Sequence, residues 1–271
     1  MSEKTERPIG IFDSGIGGLT IAQALVEKLP NENIIYFGDT AHLPYGDKSI
    51  AAIQSYSVKI AHMLLQQECK LILIACNTAS AAAFDLVKEY CGIKAEVMDV
   101  IDPVIHHLKK SYTKKNIGLI ATKATVNSNV YKKKVDALNI GINLKSQATP
   151  ILASLIEEGF HSKKVIDLVL AEYLSQKNLN DIEALILACT HYPVVKKNIN
   201  TFYENKIDII DPSEIVANAV KARLESNNAI NKNKTKGTKH FYISDYTQTF
   251  ADNTKLFFDE EINLEHYPIW D

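Results

Sequence analysis

The sequence predicts an α/β protein with two similar parallel sheets, and three observations carry that expectation. Leu71-Ile72-Leu73-Ile74-Ala75-Cys76-Asn77-Thr78 and Ala184-Leu185-Ile186-Leu187-Ala188-Cys189-Thr190-His191 are apolar runs of strand length, each ending in Ala-Cys and a polar pair. Wholly apolar runs suit strands covered by helices on both faces, as in parallel sheets. Strand and helix signals alternate along most of the chain, the pattern of right-handed crossovers. Each Ala-Cys also falls just past the carboxyl end of its strand, where open α/β sheets bind ligands. Two such thiols raise the question of whether they face one another across a substrate.

In order, residues 9–12 read as a strand and lead through Asp13-Ser14-Gly15-Ile16-Gly17-Gly18 into a helix with the apolar stripe Leu19, Ile21, Ala22, Leu25, Val26 and Leu29. Pro30 and Asn31 stop it. Residues 33–37 form the next strand, and 38–46 a loop rich in turn formers. A helix over 48–68 precedes the strand 71–75, and an Ala-rich helix over 78–90 opens directly after Cys76, closed by Cys91-Gly92. A second round begins near Val97, with a helix over 101–110, a strand over 116–121, a polar turn over 122–125 and a helix over 128–138. Strand 142–147, helices 150–159 and 162–175, strand 181–188 and helix 193–203 follow. Residues 207–210 make a further strand, after which Asp211-Pro212-Ser213 caps a helix to about Leu224. The polar, basic stretch 225–239 reads as a mobile, solvated loop. Residues 241–244 read as a strand, 250–258 as a helix and 263–270 as an extended segment.

Composition narrows the function. Lys plus Arg number 30 against 32 Asp plus Glu, a net charge of −2. That balance offers no basic field for nucleic acid or an anionic membrane surface. No apolar run nears the roughly 18 residues of a membrane-spanning helix. The polar, charged start Met1-Ser2-Glu3-Lys4-Thr5-Glu6-Arg7 does not read as a secretory signal. Cys69, Cys76, Cys91 and Cys189 form no C-x-x-C pair and no His-rich metal spacing. The expectation is a cytoplasmic protein with free thiols and no metal.

Gly15, Gly17 and Gly18 invite a dinucleotide reading, but Thr20 stands where G-x-G-x-x-G needs its third glycine. Two readings stay open: a tight strand-to-helix turn, or a helix N-terminus whose N–H groups bind a carboxylate. Asp13 is either a helix cap or a cleft carboxylate that orients or deprotonates a thiol. Cys69 and Cys91 read as small buried hydrophobes. Cys76 and Cys189 differ, because a helix N-terminus after each favours thiolate and Asn77, Thr78, Thr190 and His191 supply hydrogen bonds. His191 is a natural proton partner for Cys189. One such cysteine would point to nucleophilic catalysis, a hydrolase or acyl transfer; two equivalent ones point elsewhere.

Six blocks in order resemble the glutamate racemases: residues 11–19, residues 38–46, Ala75-Cys76-Asn77-Thr78-Ala79-Ser80, residues 120–126, Leu155-Ile156-Glu157-Glu158-Gly159 and Ala188-Cys189-Thr190-His191-Tyr192-Pro193. The resemblance implies a cofactor-independent isomerase that interconverts L- and D-glutamate and supplies D-glutamate for peptidoglycan. Two cysteines would act from opposite faces of the α-carbon, Cys76 taking the proton from D-glutamate with help from Asp13, and Cys189 from L-glutamate with help from His191. Inversion by proton transfer needs a base and an acid on opposite sides.

By the same resemblance Ser14, Pro44, Tyr45, Gly46, Asn77, Thr78, Thr122, Thr125 and Thr190 hold the substrate's carboxylates and ammonium. Asp39 and Glu157 match carboxylates with support roles, although capping or loop ordering is an equal reading for both. The chain departs from the family pattern at Thr149-Pro150, where a cysteine is commoner, and at Ala153-Ser154. The implied fold is two pseudo-symmetric parallel-sheet α/β domains with the active site in the cleft between them: residues 1–98 with 208–271, and 99–207. A homodimer that takes glutamate, with no nucleic-acid or membrane partner, is expected. Three alternatives remain: an aspartate racemase of the same family, a single-cysteine hydrolase using Cys189 and His191, and a non-catalytic two-lobed binding protein.

Overall fold

The apolar runs become strands buried from end to end. In the computed structural model, which describes residues 4–159, 162–259 and 261–271, the first elements are β1 (Ile9–Asp13), α1 (Leu19–Lys28), β2 (Ile34–Gly38), α2 (Ile50–Gln66), β3 (Leu71–Ile74), α3 (Asn77–Cys91), β4 (Glu96–Asp99) and α4 (Ile101–Ser111). They are followed by β5 (Asn116–Ala121), α5 (Lys123–Ser128), α6 (Val130–Ala137), β6 (Asn143–Ala148), α7 (Leu152–Glu157), α8 (Lys163–Leu174), β7 (Ala184–Ala188), α9 (Lys196–Phe202) and β8 (Asp208–Ile210). The last are α10 (Pro212–Ser226), β9 (Lys239–Ile243), α11 (Gln248–Asn253) and β10 (Leu264–His266). Of the N-terminal stretch read above, residues 1–3 lie outside the described residues.

These strands form two all-parallel sheets, ordered β10-β9-β2-β1-β3-β4 and β6-β5-β7-β8. The two expected sheets are there, unequal in width. β4, at the start of the second round, pairs with β3 and closes the edge of the first sheet. β8 pairs with β7, so the return crossing falls after Ile210, a few residues past the expected 207/208 boundary. Side chains alternate as the pleat requires. Ile9, Ile11 and Tyr36 join a core that continues into the second sheet, while Phe12, Ile35 and Phe37 pack under α2 and α3 on the opposite face. Among the described residues no helix is long and apolar enough to cross a membrane.

Three local expectations change. Residues 122–125, read as a polar turn, open α5: Thr122 Oγ1 accepts the Thr125 N–H at 3.3 Å. The helix expected over 250–258 begins earlier, where Thr247 Oγ1 caps Phe250, and breaks into a 3-10 turn at Thr254–Leu256. The 225–239 stretch is strapped down rather than loose. Asn231 N–H donates to Glu32 Oε1 at 2.7 Å, Gly237 N–H to Pro30 O at 3.0 Å and Thr238 N–H to Asn33 Oδ1 at 2.8 Å. Glu32 is itself fixed by a buried ion pair with Lys70. Composition registers the polarity of this segment but not its distant partners.

Candidate active site

In each sheet the chain leaves a central strand to one side and then returns to the other: β1 to β2 then β3, and β5 to β6 then β7. The gap where the order reverses, at the carboxyl ends of the strands, is the usual ligand position in such sheets. Asp13 ends β1 there, Ser14 follows it and Cys76 follows β3; Thr122 and Cys189 follow β5 and β7. The two gaps face each other. Ser14, Pro44, Tyr45, Gly46, Cys76, Asn77, Thr78, Thr122, Cys189, Thr190 and His191, with Ala153, Glu157 and Ala188, line one cavity of about 30 Å³, room for roughly two waters. Asp13, Asp39 and Thr125 stand behind its wall. A larger open groove of about 710 Å³ between α4 and α10, beside the end of β4, holds no thiol.

On the first side, Cys76 caps α3 and its Sγ accepts the Ala79 N–H at 3.4 Å. The thiol lies 3.7 Å from Ser14 Oγ. Burial, reinforced by the charge of Asp13, pushes the Cys76 thiol up to about 12, overriding the helix terminus. Asp13 is wholly buried; its Oδ2 accepts Gly18 N–H at 2.9 Å and Gly15 N–H at 3.4 Å, and its Oδ1 has no hydrogen-bond partner among the described residues. Burial raises its carboxyl to about 6, with His191 pulling it down and Glu157 pushing it up. Asp13 thus acts on Cys76 through charge, while the hydroxyl within hydrogen-bond range belongs to Ser14.

On the second side, Cys189 Sγ lies 3.6 Å from His191 Nδ1, and His191 Nε2 lies 2.9 Å from Glu157 Oε2. Burial opposes an imidazolium here, but the Glu157 carboxylate and Cys189 outweigh it and hold His191 well above its ordinary value. Burial likewise works to raise Glu157, yet His191 and the Ile16 N–H keep it below the usual carboxylate range. The outcome is a Cys-His-Glu relay. Both open readings of the glycine turn are met here. A Cβ on Gly17 would sit 2.5 Å from His191 Cε1, and one on Gly15 would strike the Glu157 carboxylate. The turn's N–H groups bind carboxylates of the protein itself: Asp13, and Glu157 through Ile16 N–H at 3.1 Å.

Thr78 and Thr122 on the cavity wall and Thr125 behind it share their hydroxyls at 2.9 to 3.2 Å, and Thr20 Oγ1 donates to Thr190 O at 3.1 Å. Asp39 orders the loop that delivers Pro44, Tyr45 and Gly46. Its carboxylate accepts from Tyr45 OH at 2.6 Å, Ser244 Oγ at 2.8 Å and Trp270 Nε1 at 2.8 Å. At the unusual position 149, the Thr149 hydroxyl donates to Ala121 O at 3.2 Å and bonds to Tyr192 OH. Sequence reasoning misses three supporting residues. Asn253 donates to Glu157 O at 2.9 Å, Phe257 sets its ring edge-on to His191, and Tyr131 OH donates to Asn77 Oδ1 at 2.7 Å. None sits in a motif, so no spacing signal marks them. Among the described residues no cluster of His, Cys, Asp or Glu is arranged to hold a metal ion.

This constellation has relatives. The Asp/Glu/Hydantoin racemase family profile matches residues 10–220, most of the chain. The chain belongs to the Asp/Glu/Hydantoin racemase family. Relatives within this racemase family include the glutamate racemase of Chlorobaculum parvum, 38% identical over 257 residues, covering 94% of this chain and 93% of that protein. The solved glutamate racemase from Francisella tularensis in complex with D-glutamate has a TM-score of 0.91 at 40% identity, covering 98% of this chain and 99% of that one. The glutamate racemase from Thermus thermophilus in complex with β-chloro-D-alanine gives 0.87 at 34% identity, with 98% of each chain covered. The two-sheet α/β fold is therefore the fold of these racemase structures.

Proposed function

We propose that the protein interconverts L- and D-glutamate by proton transfer at the α-carbon, with Cys76 and Cys189 working from opposite faces. One observation carries the reading: both thiols line a single cavity and have unlike proton partners. From L-glutamate, Cys189 as thiolate takes the α-proton, its own proton having passed to the His191–Glu157 relay. Cys76, pushed up to about 12 and so a thiol at neutral pH, gives its proton to the other face of the carbanion. From D-glutamate the roles exchange, with Asp13 the carboxylate available to take the proton that Cys76 must lose. The α-proton is weakly acidic, so fixed donors around the cavity supply much of the stabilisation. Ser14, Pro44, Tyr45, Gly46, Asn77, Thr78, Thr122 and Thr190 are placed to hold the substrate's charged groups, Thr125 supporting two of them. Asp39 and Glu157 act as supports.

The same reading makes the protein a cytoplasmic homodimer that supplies D-glutamate for peptidoglycan, with lobes 1–98 plus 208–271 and 99–207, the second boundary moved past Ile210. The test is solvent deuterium incorporation at the α-carbon of L-glutamate with no added cofactor, repeated with aspartate. Exchange on glutamate is expected; none by folded protein overturns the proposal, and preferential exchange on aspartate replaces the substrate. Cys189, His191 and Glu157 also resemble a hydrolase triad. Cys76→Ala separates the two, because a hydrolase keeps turnover whereas the racemase loses interconversion by at least about 10³-fold.

A further inference from the structure

We infer that Tyr131 is a positioning residue for this reaction, holding the Asn77 amide so that its NH₂ group faces the substrate cavity. Asn77 opens α3 next to Cys76, lines the cavity and is buried. Its Oδ1 accepts the Tyr131 hydroxyl at 2.7 Å. Its Nδ2 has no protein acceptor among the described residues, on a side chain that lines the cavity. Tyr131 comes from α6, beside the second sheet, and is itself buried. Burial and the charge of Asp99 keep its phenol far from ionising, so it remains a donor at every working pH. Asp99 is fixed in turn, accepting the Asp102 N–H at 2.9 Å. An amide turned the other way would aim its carbonyl oxygen at an anionic substrate. Tyr131 therefore selects the rotamer that offers N–H donors to a carboxylate, and it does so across the boundary between the two sheets.

This inference rests on the proposed racemase reading, which α-exchange by the unaltered protein tests separately. Tyr131→Phe keeps the ring and removes only the hydroxyl. KM for both enantiomers is expected to rise roughly threefold to tenfold, the worth of one hydrogen bond, with kcat changed less than about twofold. The decisive measurement is the cycle with Asn77→Ala. Once the amide is gone, adding Tyr131→Phe should raise KM no further. The same cycle read as the glutamate-induced rise in unfolding temperature removes any stability cost that the Phe carries in both backgrounds. Independent, additive effects of the two substitutions, or a fall in kcat at unchanged KM, would overturn the assignment.

Discussion

Cys76 caps a helix beside a buried carboxylate while Cys189 abuts an imidazole, so identical side chains meet opposite electrostatics. Both cysteines, and His191, are legible in the sequence because strand-end position and chain proximity mark them. Glu157 is not settled there: 34 positions before His191, it reads equally as loop support until the fold sets it against the imidazole. Replacing it with Gln removes the charge that holds His191 up and should lower kcat/KM roughly 10- to 100-fold. Enantiomers have equal free energy, so the fall must be the same in both directions. The asymmetry belongs in the isotope effect, which should grow for α-deuterated L-glutamate and shrink for α-deuterated D-glutamate as the Cys189 step becomes limiting. Equal isotope effects would remove Glu157 from that step. Asp13 gives a prediction of the opposite kind. Its carboxyl rises from 3.8 to about 6 on folding, so the folded state binds the proton more tightly and stability falls as pH climbs through that interval. Above it the ionised group costs roughly 3 kcal/mol. Asp13→Asn should therefore unfold several degrees above the unaltered protein near neutral pH, lose that advantage around pH 4, and racemise more slowly; equal unfolding temperatures near neutral pH would refute the cost.

The turn between β1 and α1 is where sequence and structure speak most differently about one segment. Its glycines resemble a nucleotide motif, and only the third position argues against it. In the fold, Gly15 and Gly17 have no Cβ because Glu157 and His191 occupy that space. Such a constraint comes from a segment more than a hundred residues away, which local pattern does not register. Gly17→Ala should displace the His191 ring, destabilise the protein by about 1–3 kcal/mol and depress turnover well beyond that loss, measurable by thermal unfolding alongside racemisation. Unchanged turnover would mean that the ring has room to shift. The buried strands are legible because their whole length is apolar. Edge strands β4 and β8 are short and partly exposed, so their sheet membership is set by pairing.

Across the molecule, the cavity is flanked by hydrogen bonds that link elements of the two sheets. Glu157 reaches from α7 to the Ile16 N–H, Thr20 reaches Thr190, Tyr131 reaches Asn77, and Thr78 meets Thr122 and Thr125. Each joins an element of the first sheet's half to one of the second. A space of about 30 Å³ is smaller than a five-carbon diacid, so binding requires the cavity to widen, and parting of these bonds is one route. The Ile16 amide reports that parting, since its acceptor lies on the opposite half. Its hydrogen exchange should be faster than that of the buried β1 amides in the free protein, because local opening exposes it without global unfolding. Saturating D-glutamate should slow it, and at about 100 times the dissociation constant should add roughly 2.7 kcal/mol of stability. If Ile16 instead exchanges only with global unfolding and glutamate leaves that rate unchanged apart from overall stabilisation, access runs through the Pro44–Gly46 loop. Asp39→Asn, which loosens that loop's anchor, would then accelerate glutamate binding while leaving Ile16 exchange unaltered.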